Sequence, residues 1–387
     1  MNNGKRIFKG FLILLILISF TVTAAVGIFL ITNRDNIGQF VRVATLVKSQ
    51  FLWPVDDSKL IEGAIGGMVN SLGDEYSVYM NAEKFQELQS HIQGAFGGIG
   101  IYVGVRDGDI TVIAPIKGTP GAKAGIKSGD IIAGINGRST EDMDIDEAVG
   151  IMKGEPGTEV NVSIQRAEED KLLEFTIVRE IINVPTVEGE ILKDNPDIAY
   201  LRILMFASNT DEALTEELKK LQDQGFKAII IDLRDNPGGD LHTVVDIARH
   251  FIPKGPIVHI VNNKDQTESL EASGDNIKVP IAALINGGSA SASEILAGAI
   301  KDTGAGTLIG TKTFGKGIVQ SIFFLDEGAG LKLTTAKYLT PNKNDIHHKG
   351  IEPDIEVELP EYVPGQREIP PDTQLLKAID VLEGKIR

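Results

Sequence analysis

The chain has 387 residues, a formal net charge of −16 and no cysteine. Its length is typical of two or three domains, and a composition that is 42% hydrophobic and 24% charged allows a sizeable core. The acidic balance argues against a nucleic-acid partner, because phosphate contacts need Lys and Arg. The lack of cysteine excludes disulfides, thiolate chemistry and cysteine-ligated zinc sites.

An apolar run over residues 11–31 follows a basic flank at residues 5–9. A membrane-spanning helix needs about 20 residues, so this run predicts a transmembrane anchor within residues 1–34. The positive flank should remain cytoplasmic, which places the body of the protein outside the cytoplasmic membrane. A cleaved signal peptide with a cut near Ala24 and Ala25 is the alternative, but apolar residues continue beyond that point.

Residues 35–93 show partial helical periodicity and predict a helical N-terminal region. Gly73 and Asp74 interrupt the pattern, and another helix is predicted over residues 82–92. This region shows no residues that suggest chemistry. We therefore expect it to serve packing or to form a homodimer.

From residue 94 to 180 the pattern changes to short strands and glycine turns. It predicts a glycine-led strand over 97–103, a short helix over 145–152, and two alternating strands over 160–165 and 173–178. A dinucleotide-binding glycine loop is the competing interpretation. It fails because a helix is predicted before these glycines, where that loop needs a strand.

Strands and helices alternate over residues 181–360, which predicts a layered α/β core. Buried strands are expected at 228–233 and 281–285, and a helix at 294–301. A short amphipathic helix is predicted in the tail, residues 361–387. The fold class that follows is multidomain α+β.

A run of small residues at 286–294, Asn-Gly-Gly-Ser-Ala-Ser-Ala-Ser-Glu, lies between a predicted buried strand and a predicted helix. The glycines allow a sharp turn, and a serine in the first helical turn would lie near N–H groups that lack helical partners. That position suits a nucleophile whose reaction creates an oxyanion. An ordinary turn with a serine cap is the alternative. The pattern alone does not choose among Ser289, Ser291 and Ser293.

A serine nucleophile needs an adjacent base. None of the six histidines lies in an obvious catalytic context, but a lysine can serve if burial lowers its pKa. Lys312 and Lys316 are two candidates, in a Gly-rich turn before a strand predicted at 318–324. A further motif, Arg-Asp-Asn-Pro-Gly-Gly at 234–239, could point glycine amides into a pocket, although a plain strand-to-helix loop is the alternative.

Together these motifs resemble those of the carboxyl-terminal processing proteases, also called tail-specific proteases. The resemblance extends over residues 40–360 and includes the segments 233–239, 286–294, 310–320 and 349–354. It implies a helical segment, a PDZ domain and a protease core, in that order. It also implies serine endopeptidase activity without a metal or other cofactor.

Carried over residue by residue, the resemblance makes Ser291 the nucleophile and Lys316 the general base, with Gln320 orienting the lysine. The oxyanion hole would be formed by the backbone N–H groups of Gly239 and Ala292. An acyl-enzyme intermediate is then expected.

The resemblance also assigns a role to the glycine-led strand. Gly97, Gly98, Ile99, Gly100 and Ile101 are expected to bind the apolar C-terminal tail of a protein or peptide substrate, which adds as a further strand. By analogy with the family, this PDZ domain would also gate the active site.

Two other functions compete with this hypothesis. A catalytically silent module could use the PDZ domain to hold partners at the membrane, but Ser291, Lys316 and Gln320 are all present. A hydratase-like enzyme on a related α/β core is the other, and the sequence shows no feature for binding an acyl-CoA. We therefore expect a membrane-anchored peptidase.

Overall fold

The structure is a computed structural model that describes residues 19–21, 34–106, 108–167, 169, 171–360 and 371–386. The described residues form two compact units, the first ending at Gly73 and the second beginning at Asp74. The expected anchor, residues 11–31, lies outside the described residues except for 19–21. Within the part of the chain that is described, no helix has the length and apolar character needed to cross a membrane.

The described residues of the first unit include the helices α1 (Arg34–Gln50) and α2 (Asp57–Asn70). Asp56 begins α2 as its N-cap, and its carboxylate accepts a hydrogen bond from the Ser58 N–H (2.9 Å). Apolar side chains such as Phe40 are exposed on these helices. The expected homodimer remains a prediction.

The second unit opens with β1 (Val78–Met80) and α3 (Ala82–Gln93), followed by a small β-rich domain. The elements of that domain are β2 (Ala95–Gly98), β3 (Ile101–Arg106), β4 (Asp109–Pro115), α4 (Pro120–Ala124), β5 (Ile131–Ile135), β6 (Arg138–Ser139), α5 (Ile145–Met152), β7 (Glu159–Gln165), β8 (Leu173–Val178) and β9 (Glu180–Asn183). Its main sheet has the order β3-β4-β5-β7-β8, with β6 paired to β5, while β2 pairs separately with β9. The predicted helix and both alternating strands are confirmed.

The glycine-led segment is not the single strand that the sequence predicts. Strand β2 ends at Gly98 and β3 begins at Ile101, so the prediction of one strand over 97–103 is wrong. Gly100 takes a positive φ of 71° and turns the chain, while Ile99 is buried in the domain core. A one-strand pattern cannot reveal such a turn, because glycine is compatible with both conformations.

The remaining elements form an α/β core. They are β10 (Val187–Ile191), β11 (Ile198–Ile203), α6 (Thr210–Gln224), β12 (Ala228–Asp232), α7 (Leu241–Arg249), β13 (Gly255–Asn262), β14 (Thr267–Ala272), β15 (Ile281–Ile285), α8 (Ala292–Asp302), β16 (Gly306–Gly310), β17 (Ile318–Phe324), a 3₁₀ turn (Asp326–Gly328), β18 (Gly330–Leu339), β19 (Ile355–Glu356) and α9 (Thr373–Ile386).

The central sheet of the core has the order β10-β11-β12-β15-β16-β19 and is parallel except for β10. Helices α6, α7 and α8 contribute to the apolar cluster on one face, and α9 packs against the other. Coverage of both faces explains why the predicted strand β15 is a continuous apolar run and why β12 is apolar as far as Asp232. The layered core predicted from the sequence is confirmed.

A second, antiparallel sheet has the order β1-β18-β13-β14, and β17 also pairs with β18. Of these strands, the sequence predicts only β17. The pairing of β1 with β18 brings residues 74–77 beside the strands that follow Lys316. This sheet therefore completes one wall of the cleft that contains Lys316.

Candidate active site

The turn at Ser291 joins the central sheet to α8. Ser291 is the N-cap of α8 and has φ 53° and ψ −113°, a conformation that a non-glycine residue rarely adopts. Its two neighbouring serines are fully buried: Ser289 Oγ donates to the Leu233 carbonyl (2.8 Å), and Ser293 Oγ donates to the Asn236 carbonyl (2.9 Å). Of the three serines, Ser291 is the one that lines the adjoining cleft.

That cleft has a volume of about 520 Å³. Its lining includes Ser291, Ala292, Gly239, Lys316 and Gln320, so the structure brings all five predicted catalytic and oxyanion-hole residues together. A concave site with a few convergent polar groups is the usual form of an active site.

Lys316 enters the cleft from the loop before β17 and is partly buried. Its Nζ lies 3.4 Å from Gln320 Oε1 and 4.5 Å from the centroid of the Tyr76 ring. The other candidate lysine has a different environment, because Lys312 is exposed and forms an ion pair with Glu352 (2.9 Å). The two candidate lysines thus differ in burial, which the sequence could not show.

Burial lowers the pKa of Lys316 below that of an ordinary lysine, because it disfavours the charged ammonium. The positive charge of Lys332 lowers this pKa further. Carboxylates oppose the change without reversing it; they belong to Asp74, Glu75 and Glu294. A larger fraction of Lys316 is therefore neutral at a given pH, as a general base must be.

Glu294 links the turn at Ser291 to the loop that contains Lys316. The side chain is fully buried, and Oε2 accepts from the N–H groups of Ser291 (2.9 Å) and Lys316 (2.8 Å). Oε1 accepts from the Thr313 hydroxyl (2.7 Å) and the Gly315 N–H (2.8 Å). Four donors use the full acceptor capacity of one carboxylate.

Tyr338 makes a second link between the same two residues. Its hydroxyl lies within hydrogen-bond distance of the carbonyl oxygens of Ser291 (2.9 Å) and Lys316. Burial, with the nearby charge of Glu294, raises the pKa of Tyr338 well above its usual range, so the hydroxyl remains a donor. The N–H groups of the two residues are bound by one side chain and their carbonyls by another.

The loop with Gly238 and Gly239 packs directly against the turn at Ser291. A Cβ on Gly238 would lie 2.8 Å from Ser291 Cβ and 2.9 Å from Ala292 N, so this position requires glycine. The Phe206 N–H donates to the Gly238 carbonyl (3.0 Å), and the Phe206 carbonyl accepts from the N–H of residue 240 (2.7 Å). Neither bond uses the Gly239 N–H, and Gly239 lines the same cleft as Ser291 and Ala292.

The predicted peptide-binding residues lie at one side of the small β-rich domain. Four of them line a shallow groove of about 50 Å³ between β3 and α5; they are Gly98, Ile99, Gly100 and Ile101. Gly97 lies outside that groove, and its carbonyl accepts from the Gly154 N–H (3.1 Å). Strand β3 is at the edge of its sheet, and no strand in the described residues pairs with its other side. That edge is available for an added strand.

Sequence reasoning missed three residues of the site. Glu294 carried a signal, because a glutamate three residues after a helix-capping serine is the spacing of a capping box. Tyr76 and Tyr338 carried none, since they reach the cleft through long-range strand pairing. His242, which has no catalytic context in the sequence, also lines the cleft.

Comparisons with known proteins agree with this geometry. Family models match residues 197–357 (peptidase family S41), 111–166 (PDZ domain) and 30–84 (activating protease CtpB N-terminal domain). The carboxy-terminal processing protease CtpA of Bacillus subtilis is 38% identical over 372 residues, covering 92% of this chain and 79% of that protein. The chain belongs to peptidase family S41. It is therefore an enzyme of the carboxy-terminal processing proteases, which are serine-type peptidases, and has a multidomain α+β fold with a PDZ domain.

Other relatives are similar over most of their length. CtpB of Bacillus subtilis is 39% identical over 335 residues, with 86% of this chain and 70% of that protein covered. Among solved structures, the photosystem II D1 C-terminal processing protease is 28% identical, has a TM-score of 0.50, and is matched over 82% of this chain and 86% of that one.

Proposed function

We propose that the enzyme cleaves peptide bonds with a Ser–Lys dyad formed by Ser291 and Lys316. The observation that supports this most is the cleft itself, where a serine in a strained turn and a lysine with a lowered pKa are fixed by shared hydrogen-bond partners. The Lys316 amine also contacts the side chain of Gln320 (3.4 Å).

Neutral Lys316 takes the proton of the Ser291 hydroxyl while Oγ bonds to the peptide carbonyl carbon. The Gly239 and Ala292 N–H groups bind the resulting oxyanion. Collapse breaks the C–N bond, and the Lys316 ammonium returns its proton to the leaving amine. Water then attacks the acyl-enzyme, its proton passes through Lys316 to Ser291 Oγ, and the C–O bond breaks.

The test is the turnover of an unfolded protein substrate. Ser291→Ala and Lys316→Ala are each expected to abolish turnover while the circular dichroism spectrum and the melting temperature remain near wild type. Lys316→Arg should fail as well, since guanidinium does not deprotonate in proteins. Turnover by Lys316→Arg would exclude lysine as the general base.

Besides Lys332, His242 is a basic side chain on the cleft that could act in place of Lys316. It is exposed and projects from α7, whereas Lys316 shares hydrogen-bond partners with the nucleophile. We therefore expect His242→Ala to retain most of the turnover. Loss in His242→Ala together with retention in Lys316→Ala would transfer the base role to the histidine.

The PDZ groove would bind the apolar C-terminal tail of a protein or peptide substrate and gate the cleft. Support comes from the edge position of β3 and from the apolar side chains in the groove, which include Val103, Val149 and Met152. Amidation of the substrate tail removes the charge that the loop amides would bind. Equal cleavage rates for free and amidated tails would argue against carboxylate recognition.

We further propose that residues 11–31 anchor the enzyme in the cytoplasmic membrane, with its body extracytoplasmic and a homodimer as its assembly. The basic flank and the apolar length support this topology. Protease added to intact spheroplasts should degrade the catalytic body. Full protection of the body would reverse the proposed orientation.

A further inference from the structure

Residues 74–77 form a short segment between α2 and β1 that covers the amino group of Lys316. Strand β1 pairs with β18 in the register Val78 to Lys332, so the preceding residues are held at the edge of the cleft. Tyr76 is the residue of the segment that touches the base, with its ring centroid 4.5 Å from Lys316 Nζ. A cation at this distance from an aromatic face is attracted to it.

The main chain of Tyr76 makes the second contact. Its carbonyl oxygen accepts a hydrogen bond from Gln320 Nε2 (3.2 Å). A carbonyl can only accept, so the amide of Gln320 must present Nε2 to Tyr76 and Oε1 to the other side. Gln320 Oε1 therefore faces Lys316 Nζ (3.4 Å), as the orientation of a lysine requires.

The segment is itself fixed. Asp74 accepts hydrogen bonds from the Tyr76 N–H (3.2 Å) and from the Ser77 hydroxyl. Ser77 Oγ in turn accepts from the Thr334 N–H of β18 (3.0 Å). Tyr76 thus occupies a defined position between strand β18 and the base.

We propose that Tyr76 is a positioning residue for the base: its ring holds the amino group of Lys316, and its carbonyl turns the Gln320 amide toward that group. The proposal rests on the Ser–Lys dyad and adds a residue to it. It predicts that the aromatic face of Tyr76 affects proton uptake by Lys316 in one way and that the shielding of Lys316 from water by the same side chain affects it in another.

Charged groups face the amino group from three elements. Asp74 and Glu75 belong to the covering segment, Glu294 to α8, and Lys332 to β18. Asp74, Glu294 and Lys332 keep their positions when only the side chain at position 76 is changed, whereas Glu75 loses its hydrogen bond to the Tyr76 hydroxyl whichever residue replaces the tyrosine. The ring favours the ammonium form, whereas the cover that it provides disfavours this form by burial.

The two effects can be separated by three variants of the full chain. Tyr76→Phe keeps ring and cover and loses only the hydroxyl that Glu75 binds, so the acid limb of kcat/KM against pH should stay near the wild-type position and serves as the reference for the other two variants. Tyr76→Leu keeps an apolar cover without a π face, so the limb should move to lower pH. Tyr76→Ala admits water to the amine, so the limb should move to higher pH. In the last two variants the plateau should fall roughly tenfold, because the lysine is held in its reactive position less often.

A readout without turnover uses the same changes in a Ser291→Ala background with ¹³C-labelled lysine. The Cε resonance of Lys316, assigned by its loss in Lys316→Arg, should titrate in the order Leu, wild type, Ala from low to high pH. Tyr79→Leu, a neighbouring tyrosine on β1, is the matched control and should titrate as wild type.

The inference is overturned if all Tyr76 variants share one acid limb of kcat/KM against pH and one titration of the Lys316 Cε resonance. This holds whether or not the melting temperature falls. If Lys316→Ala is inactive, that result does not contradict the Ser–Lys dyad. Turnover by Lys316→Ala would instead refute the dyad, on which Tyr76 depends. The two failures are therefore distinguishable.

Discussion

In the protease core, strands β12 and β15 are buried at every residue, whereas strand β7 of the PDZ domain alternates between buried and exposed positions. The core sheet is covered by helices on both faces, so polar groups that enter it must find partners inside the protein. The PDZ sheet leaves β3 as an open edge. The protease core therefore holds its polar side chains in fixed positions, whereas the PDZ domain exposes main-chain hydrogen-bonding groups along β3.

Buried polar groups follow the same division. In the core, Glu294, Asn236, Ser289 and Ser293 are fully buried, and each is hydrogen-bonded to a loop that forms the catalytic cleft. In the PDZ domain, buried Arg179 instead donates to carbonyls at the end of α5 and so holds the helix beside the groove. Core substitutions should therefore lower kcat, and groove substitutions should raise KM.

The largest effect is expected when the carboxylate of Glu294 is removed. Glu294→Gln replaces an acceptor with an NH₂ donor opposite N–H groups that now lack a partner. We expect kcat to fall about 100-fold through misplacement of Ser291 and Lys316, and the free energy of unfolding to fall by about 1–3 kcal/mol. Steady-state kinetics and urea unfolding measure both quantities.

The matched control is Glu217→Gln, since Glu217 forms an ion pair on the surface of α6 with Lys220. It should change neither value appreciably. A Glu294→Gln enzyme with wild-type kcat would contradict the distinction drawn between the protease core and the PDZ domain, because a buried polar link in the core would then have no role in the chemistry.

A smaller loss of kcat is expected for Tyr338→Phe, which deletes one hydroxyl and leaves the ring in the core. The carbonyls of Ser291 and Lys316 lose a shared donor, while their N–H groups keep Glu294. We expect kcat to fall roughly tenfold with KM nearly constant. Tyr102→Phe, at an exposed position of the PDZ domain, is the control. An equal loss in both variants would indicate a general effect of tyrosine removal.

The same division explains what could be predicted from the sequence. Buried parallel strands such as β15 were predicted correctly because a continuous apolar run between turns has few other structures. The alternating strands of the PDZ domain were predicted correctly for the corresponding reason. The choice of Ser291 and Lys316 came from the resemblance, since local pattern does not distinguish them from their neighbours. What distinguishes them in the structure is burial and long-range pairing.

The second sheet was largely missed for a physical reason. Strand β1 has only three residues, and its partner β18 lies more than 200 positions further along the chain in the sequence. No local periodicity encodes such a pairing. Tyr76 and Tyr338 reach the cleft through this sheet, so neither could be recognised from its neighbours.

Within the PDZ domain, a charge placed in the groove should change binding rather than chemistry. Val149→Glu adds a carboxylate to the groove where an apolar tail would bind. We expect KM for a substrate with a free apolar tail to rise about tenfold, which corresponds to roughly 1.4 kcal/mol, with kcat little changed. The control is Ile113→Glu, an exposed position on β4. A fall in kcat alone would mean that the groove acts on the catalytic step.

The smallest effect is expected for Lys332→Met, which tests the electrostatics of the core cleft. Lys332 lines the cleft with Lys316, and its positive charge lowers the pKa of Lys316. Without that charge the ammonium form of Lys316 is favoured, so its pKa rises and the acid limb of kcat/KM moves to higher pH. The rate on that limb falls, and the plateau at alkaline pH keeps its height. The difference between variant and wild type should shrink modestly as salt is added, because both lysines are partly buried and such pairs are screened less than exposed ones. Lys337→Met, on the same strand but paired at the surface with Asp345 (3.7 Å), should leave the limb in place. A shift of the limb to lower pH in Lys332→Met would contradict the expected repulsion between the two ammonium groups and would require another group to control the base.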